Sequence, residues 1–149
     1  MTDSHFDSCS CGALRQAARH ATRFYDSVLS PSGLGLNQYS ILSKLDRFGP
    51  KTLQQLADIL VMDRSTLGHL LRPLEARGLL TMKAAPKDRR ARIISLTPAG
   101  NAIMRQAKPL WAKAETEFQR QFGAEPAAAL RQLLKDVTRI ELGAENLAA

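Results

Sequence analysis

Between residues 52 and 97 the apolar residues change their spacing, and the change brackets a cationic tip. Leu53, Leu56, Ala57 and Leu60 recur at intervals of three and four, as do Leu67, Leu70, Leu71 and Leu74. That spacing puts each set on one face of a short helix. After Gly78 the period is lost. LLTMKA (79–84) and RIISL (92–96) read as two short strands, joined by APKDRRA. Lys87, Arg89, Arg90 and Arg92 surround a single acid there, Asp88. Two short helices linked through VMD, then a hairpin with a charged tip, leave few folds open.

The ends of these elements are marked. Thr52 with Gln55 forms a capping box, Asp63 is a strong N-cap, and Gly78 suits the C-terminus of a helix running to about Arg77. Pro73 lies inside that helix and is expected to bend or loosen it. Upstream, residues 12–29 carry Leu14, Ala17, Ala21, Phe24, Tyr25 and Val28 on one helical face, and SPSGLG ends the run. A helix over 37–48 stops at Gly49-Pro50. Downstream, Thr97-Pro98 opens a helix reaching Phe122, with Trp111 among its apolar residues and Pro109 as a kink point. A break over residues 123–126 leads to a last helix over 127–141, and the tail GAENLAA is expected to fray. The fold class is mainly α with a small β-wing.

The net charge is +7, and between Arg64 and Arg92 eight Lys or Arg face two acids. Nearly the whole surplus sits in one fifth of the chain, the footprint of a polyanionic partner. No apolar run approaches the ~20 residues that span a bilayer. The N-terminus is polar and lacks the apolar core of a secretory signal. A cytoplasmic protein without a membrane partner is expected. No Gly-rich phosphate loop, paired-carboxylate motif or nucleophile elbow is present. Cys11 and His20, nine residues apart on one helix, face opposite sides. Neither an enzyme nor a cofactor is expected. His5, Cys9 and Cys11 are soft ligands, but their spacing is not that of a zinc finger or knuckle, so no metal site is expected.

The two central helices form a helix-turn-helix, and the hairpin is its wing. Arg64, Ser65, Thr66, His69 and Arg72 lie away from the leucine face of the second helix. Ser65, Thr66, His69 and Arg72 are placed toward the major groove of double-stranded DNA, with Arg72 as the guanine reader and Arg64 on phosphate. Arg90 is placed in the minor groove, and Lys87, Arg89 and Arg92 on the backbone or as steering charge. Asp88 orients a nearby Arg. The rival reading is a non-specific nucleoid-associated protein, which shares the basic patch but has little preference for a palindrome.

DRSTLGHLLRPLEARGLL followed by PKDRRARIISLTPAG resembles the recognition helix and wing of MarR-type winged helix-turn-helix regulators. Asp88-x-Arg90 and Leu96-Thr97-x-x-Gly100 match that pattern, and the order of elements matches over residues 11–142. The resemblance implies a transcriptional regulator, a repressor acting as a homodimer on a palindromic operator. Residues 1–149 would be one domain, with 11–35 and 98–142 as dimerisation helices and 36–97 as the winged helix-turn-helix. Independently, the outer helices hold more apolar face than one small winged domain covers.

The first helix, CGALRQAARHATRFY, resembles that of the peroxide-sensing OhrR branch. Cys11 stands where that branch keeps its reactive cysteine. Tyr25 stands where it keeps one of two tyrosines that hydrogen-bond the thiolate. Leu36 replaces the second, so one hydroxyl is missing. Cys9 is a candidate to resolve a sulfenic acid. One candidate signal is therefore an organic hydroperoxide. The other is a small aromatic or anionic ligand in a crevice between dimer helices and winged domain, with Arg15, Arg19, His20 and Tyr39 as candidate lining.

Overall fold

The computed structural model describes residues 8–147. Among them no helix is long and apolar enough to cross a membrane. Two compact units are formed, one up to Ala114 and one from Glu115 onward.

The first unit opens with α1 (Ser10–Leu29) and a single 3-10 turn (Ser30–Ser32), followed by α2 (Leu36–Phe48). Then come β1 (Lys51–Thr52), α3 (Leu53–Leu60), α4 (Arg64–Ala76), β2 (Leu80–Ala84), β3 (Arg92–Leu96) and the start of α5 (Pro98–Phe122). The mainly α fold with a small wing is the one expected. The element ends follow the capping chemistry. Gln55 N–H donates to Thr52 Oγ1 at 3.1 Å and Thr52 N–H to Gln55 Oε1 at 3.0 Å, which satisfies two orphan donors at the start of α3. Thr66 N–H donates to Asp63 Oδ1 at 2.7 Å and starts α4. Gly49 and Gly78 end α2 and α4 with φ of 73° and 70°, values at which a side chain is strained.

The sheet is antiparallel in the order β1-β3-β2, with Ile94 paired to Met82 on one side and Lys51 on the other. β1 was not expected. Two residues are too few to show an alternating pattern. Its pairing fixes the start of α3 to the base of the wing. Leu42, Leu56, Leu67, Leu71, Leu80 and Ile94 are fully buried in one cluster, each contributing roughly 1.5–3 kcal/mol of burial. α4 supplies Leu67, Leu71 and Leu74 to that cluster, which leaves its other arc outside. Pro73 and Pro109 lie within α4 and α5, and both helices run on through them.

The second unit holds the end of α5 and α6 (Ala124–Val137). Arg131 bridges Glu115 at 3.1 Å. The break between the helices is Gly123 alone, at φ 104°. α6 therefore starts earlier than expected and takes Pro126 into its first turn, where a missing N–H costs nothing. It also ends earlier, at Val137 rather than 141. In the tail, residues 144–147 form a 3-10 turn.

Candidate nucleic-acid interface and pocket

Burying the leucine stripe of α4 turns Arg64, Ser65, Thr66, His69 and Arg72 outward, and all five are exposed. Their chemistry differs. The Thr66 hydroxyl donates to Asp63 Oδ2 at 2.6 Å, so it is already committed to the cap. These bonds hold the Asp63 carboxyl below its usual range, and it stays ionised at the positive end of the helix. Among the described residues no ion pair engages Arg64, Arg72 or the wing cations. Such cations are available to an external anion.

The wing is built on β2 and β3. Asp88 meets Arg90 at its backbone and not at its guanidinium: Arg90 N–H donates to Asp88 Oδ1 at 2.9 Å. This closes the tip as an Asx turn and leaves the Arg90 guanidinium outside the bond. Arg90 and Arg92 meet Arg64 around one cleft of about 320 Å³, together with Thr52, Leu53 and Gln54 at the start of α3. Arg64 of α4 thus shares one hollow with Arg90, Arg92 and the single acid Asp88 of the wing. Lys87 and Arg89 are exposed on the tip and do not line it. The placing of Thr52, Leu53 and Gln54 beside the arginines depends on β1, so no sequence pattern announced it.

A second cavity, about 530 Å³, opens between α2 and α5. Its apolar wall is Leu36, Tyr39 and Trp111; Lys44, Asp46, Arg47 and Lys108 supply its charge. The Tyr39 and Trp111 rings stack at 6.0 Å between centroids and 15° between planes. Lys108 Nζ lies 2.6 Å from Asp46 Oδ2. Burial, and then the negative Asp46, raises the Tyr39 phenol above its usual value, so its O–H remains a donor at neutral pH. Of the four candidate lining residues only Tyr39 is here. Arg15, Arg19 and His20 are exposed on α1 and lie elsewhere. Trp111 and the basic rim were missed: on α5 the tryptophan keeps the spacing of a core residue, and lysines on a helix read as solvated.

Cys9 and Cys11 are both exposed free thiols. Cys9, not Cys11, is the N-cap of α1, and its Sγ accepts from Gly12 N–H at 3.3 Å. Cys11 is the second helical residue. Fourteen residues separate Cys11 from Tyr25, about 21 Å along a helix axis. A hydrogen bond between them within one chain is therefore excluded, which corrects the pairing that the resemblance implied for a single chain. The buried Tyr25 ring meets Phe24 edge-on at 5.5 Å instead. Leu36 N–H, at the start of α2, donates to Asp26 Oδ1 at 2.7 Å. His5 lies outside the described residues, and among those residues no cluster of three metal-ligating side chains occurs.

Comparison with known proteins adds to this geometry. The MarR family model matches residues 34–91. The organic hydroperoxide resistance transcriptional regulator of Bacillus subtilis is 30% identical over 97 residues, 65% of this chain and 66% of that protein. The alignment thus spans just under two thirds of that relative's length. A Mycobacterium tuberculosis transcriptional regulator, MOSR, solved in complex with DNA, is 30% identical with a TM-score of 0.74, over 89% of this chain and 100% of that one. The transcriptional repressor CouR, solved on a 23-mer DNA duplex, is 27% identical with a TM-score of 0.81, over 93% of this chain and 99% of that one.

Proposed function

Since the chain belongs to the MarR family of winged-helix transcriptional regulators, we propose that it is a homodimeric repressor of a palindromic operator, released by a small effector or by thiol oxidation. The observation that supports DNA recognition most directly is the unpaired cationic arc of α4 beside the Arg64–Arg90–Arg92 cleft. The arc fits a major groove, and the wing reaches the adjoining groove or its phosphates. Arg72 reads guanine in this scheme, Ser65 and His69 contact base edges or phosphate, and Arg90 enters the minor groove. Thr66, held by Asp63, positions the helix start. Two inputs are proposed for release. One is the cavity between α2 and α5. The other is oxidation at Cys11 by an organic hydroperoxide.

The test starts from a random duplex pool enriched on the protein. The selected sequence should be palindromic, with half-sites about one helical turn apart. Arg72→Ala should cost roughly 1–3 kcal/mol and relax selectivity at one base pair per half-site. Arg90→Ala should weaken binding and lower the salt slope by about one if it replaces a phosphate-level contact. Equal affinity for selected and random duplex would move the protein to the nucleoid-associated class.

A further inference from the structure

Gly68 lies in the interior of α4, whose 13 residues run from Arg64 to Ala76. An interior glycine is less favourable than alanine in a helix. Three features of a fold can require one, and Gly68 has none of them. Its φ is not positive, unlike those of Gly33, Gly49, Gly78 and Gly123. It does not end the helix. A Cβ built on it would meet nothing within 4 Å, whereas one built on Gly100 would strike the Leu79 carbonyl. Among the described residues, nothing uses the space left by the missing side chain.

Its surroundings on α4 say what could. Arg64, Gly68 and Arg72 follow one another at intervals of four and form one ridge, about 12 Å long. Both arginines are exposed, and among the described residues no ion pair engages either. Gly68 is half-buried between them, with the fully buried Leu67 and Leu71 on its other side. The ridge therefore has a notch between two available cations. The floor of the notch is apolar. Within the helix the Gly68 N–H donates to the Arg64 carbonyl and the Gly68 carbonyl accepts from Arg72 N–H. Only the Cα methylene faces outward. Cationic flanks suit a nucleic acid. A floor with neither donor nor acceptor suits the apolar group at the base edges of the major groove, the thymine 5-methyl.

We propose that Gly68 is a specificity-determining residue, its notch admitting the 5-methyl group of one thymine in each half-site. This rests on the operator reading above and adds a base that the guanine reader, Arg72, does not account for. Arg64 and Arg72 hold the DNA one turn to either side and bring the helix backbone close to the base edge. Any Cβ at position 68 takes the place of the methyl.

The test uses the full chain and the duplex enriched from the random pool. Each symmetry-related pair of thymines is replaced in turn by deoxyuridine, which lacks only the methyl. At one pair the replacement should weaken wild type about four-fold per half-site, the scale of one buried methyl group. Gly68→Ala should raise the thermal midpoint by about 1–4 °C, because the helix gains and nothing in the chain is crowded. The same variant should bind the thymine duplex about ten-fold more weakly, the scale of overpacking. It should recover most of that loss on deoxyuridine at the sensitive pair and none at the others. A protein made more stable and yet poorer at its operator is not what a structural role for Gly68 gives. The proposal is overturned if Gly68→Ala lowers the midpoint or alters the sedimenting species, which would set the glycine against its own chain or a second copy. It is also overturned if the variant binds as tightly as wild type, or if its loss is the same with and without the methyl at every pair. Wild type without preference over random duplex removes the operator reading and the notch together; preference without coupling between Gly68 and a thymine removes the notch alone.

Discussion

Cys9 and Cys11 sit two residues apart and do different work. Cys9 Sγ accepts a backbone N–H and caps α1, whereas Cys11 has an exposed side chain in the first turn. Serine is a good N-cap and alanine a poor one. Cys9→Ser should therefore preserve or strengthen α1, and Cys9→Ala should lose less than the roughly 0.5–2 kcal/mol of an oxygen cap, because sulfur is a weak acceptor, seen as faster hydrogen exchange in the first turn. On organic hydroperoxide, wild type and Cys9→Ser should both release DNA and Cys11→Ser should not. Equal behaviour of wild type and Cys11→Ser would make the thiols passengers. Gly100 is a plainer case. A Cβ there would fall within contact distance of the Leu79 carbonyl oxygen and close to the Leu96 side chain. Gly100→Ala should destabilise by about 1–3 kcal/mol or more, as overpacking does, and thermal unfolding would show it. An unchanged midpoint would mean that α5 can move off β2. The glycine was legible in sequence as part of a pattern. Its reason was not, because Leu79 meets it only once β2 and α5 have packed.

At the scale of elements, caps were the most legible signal. Thr52, Gln55 and Asp63 act over three residues, so sequence alone holds both partners. What failed to show were features needing a distant partner: β1 exists only through its pairing with β3. Proline was over-read. At Pro126 the first turn of α6 absorbs it. The turn between α3 and α4 hides a different cost. Val61 adopts φ 52°, ψ 53°, and its side chain is 71% exposed. A β-branched residue is poorly suited to this left-handed region, at a cost of roughly 1–2 kcal/mol. Little burial is lost on replacing it. Val61→Asn should thus stabilise the protein by about 1 kcal/mol, raising the denaturant midpoint at constant slope. A lower midpoint would show that the exposed valine is buried by something in solution, with a second copy or DNA as the candidates to examine.

For the whole molecule, the part least explained by one chain is the apolar surface near the C-terminus. Leu133, Leu134 and Val137 of α6, and Ile140 beyond it, are 65%, 37%, 39% and 57% exposed. Within α6, the spacing of Leu133, Leu134 and Val137 puts those three on one side of the helix. Helix amphipathicity made this face legible in sequence, but a face only says that something covers it. The proposed homodimer supplies a second copy, and a symmetric interface requires the same patch on both subunits. Carboxylates placed there would face their own copies across the two-fold axis, where desolvation and like-charge repulsion act together. Leu133→Glu combined with Val137→Glu should shift the protein from dimer to monomer in sedimentation velocity while far-UV circular dichroism keeps its helical signal. The consequence for DNA follows from geometry. A dimer engages two half-sites, and the second contact is intramolecular, which raises avidity by about 10²–10⁴ over one half-site. The monomeric variant should lose affinity for the full palindrome by that order while its affinity for an isolated half-site stays near that of wild type. A wild-type protein that sediments as a monomer yet binds the palindrome tightly would refute the dimer, and the exposed face of α6 would then need a different partner.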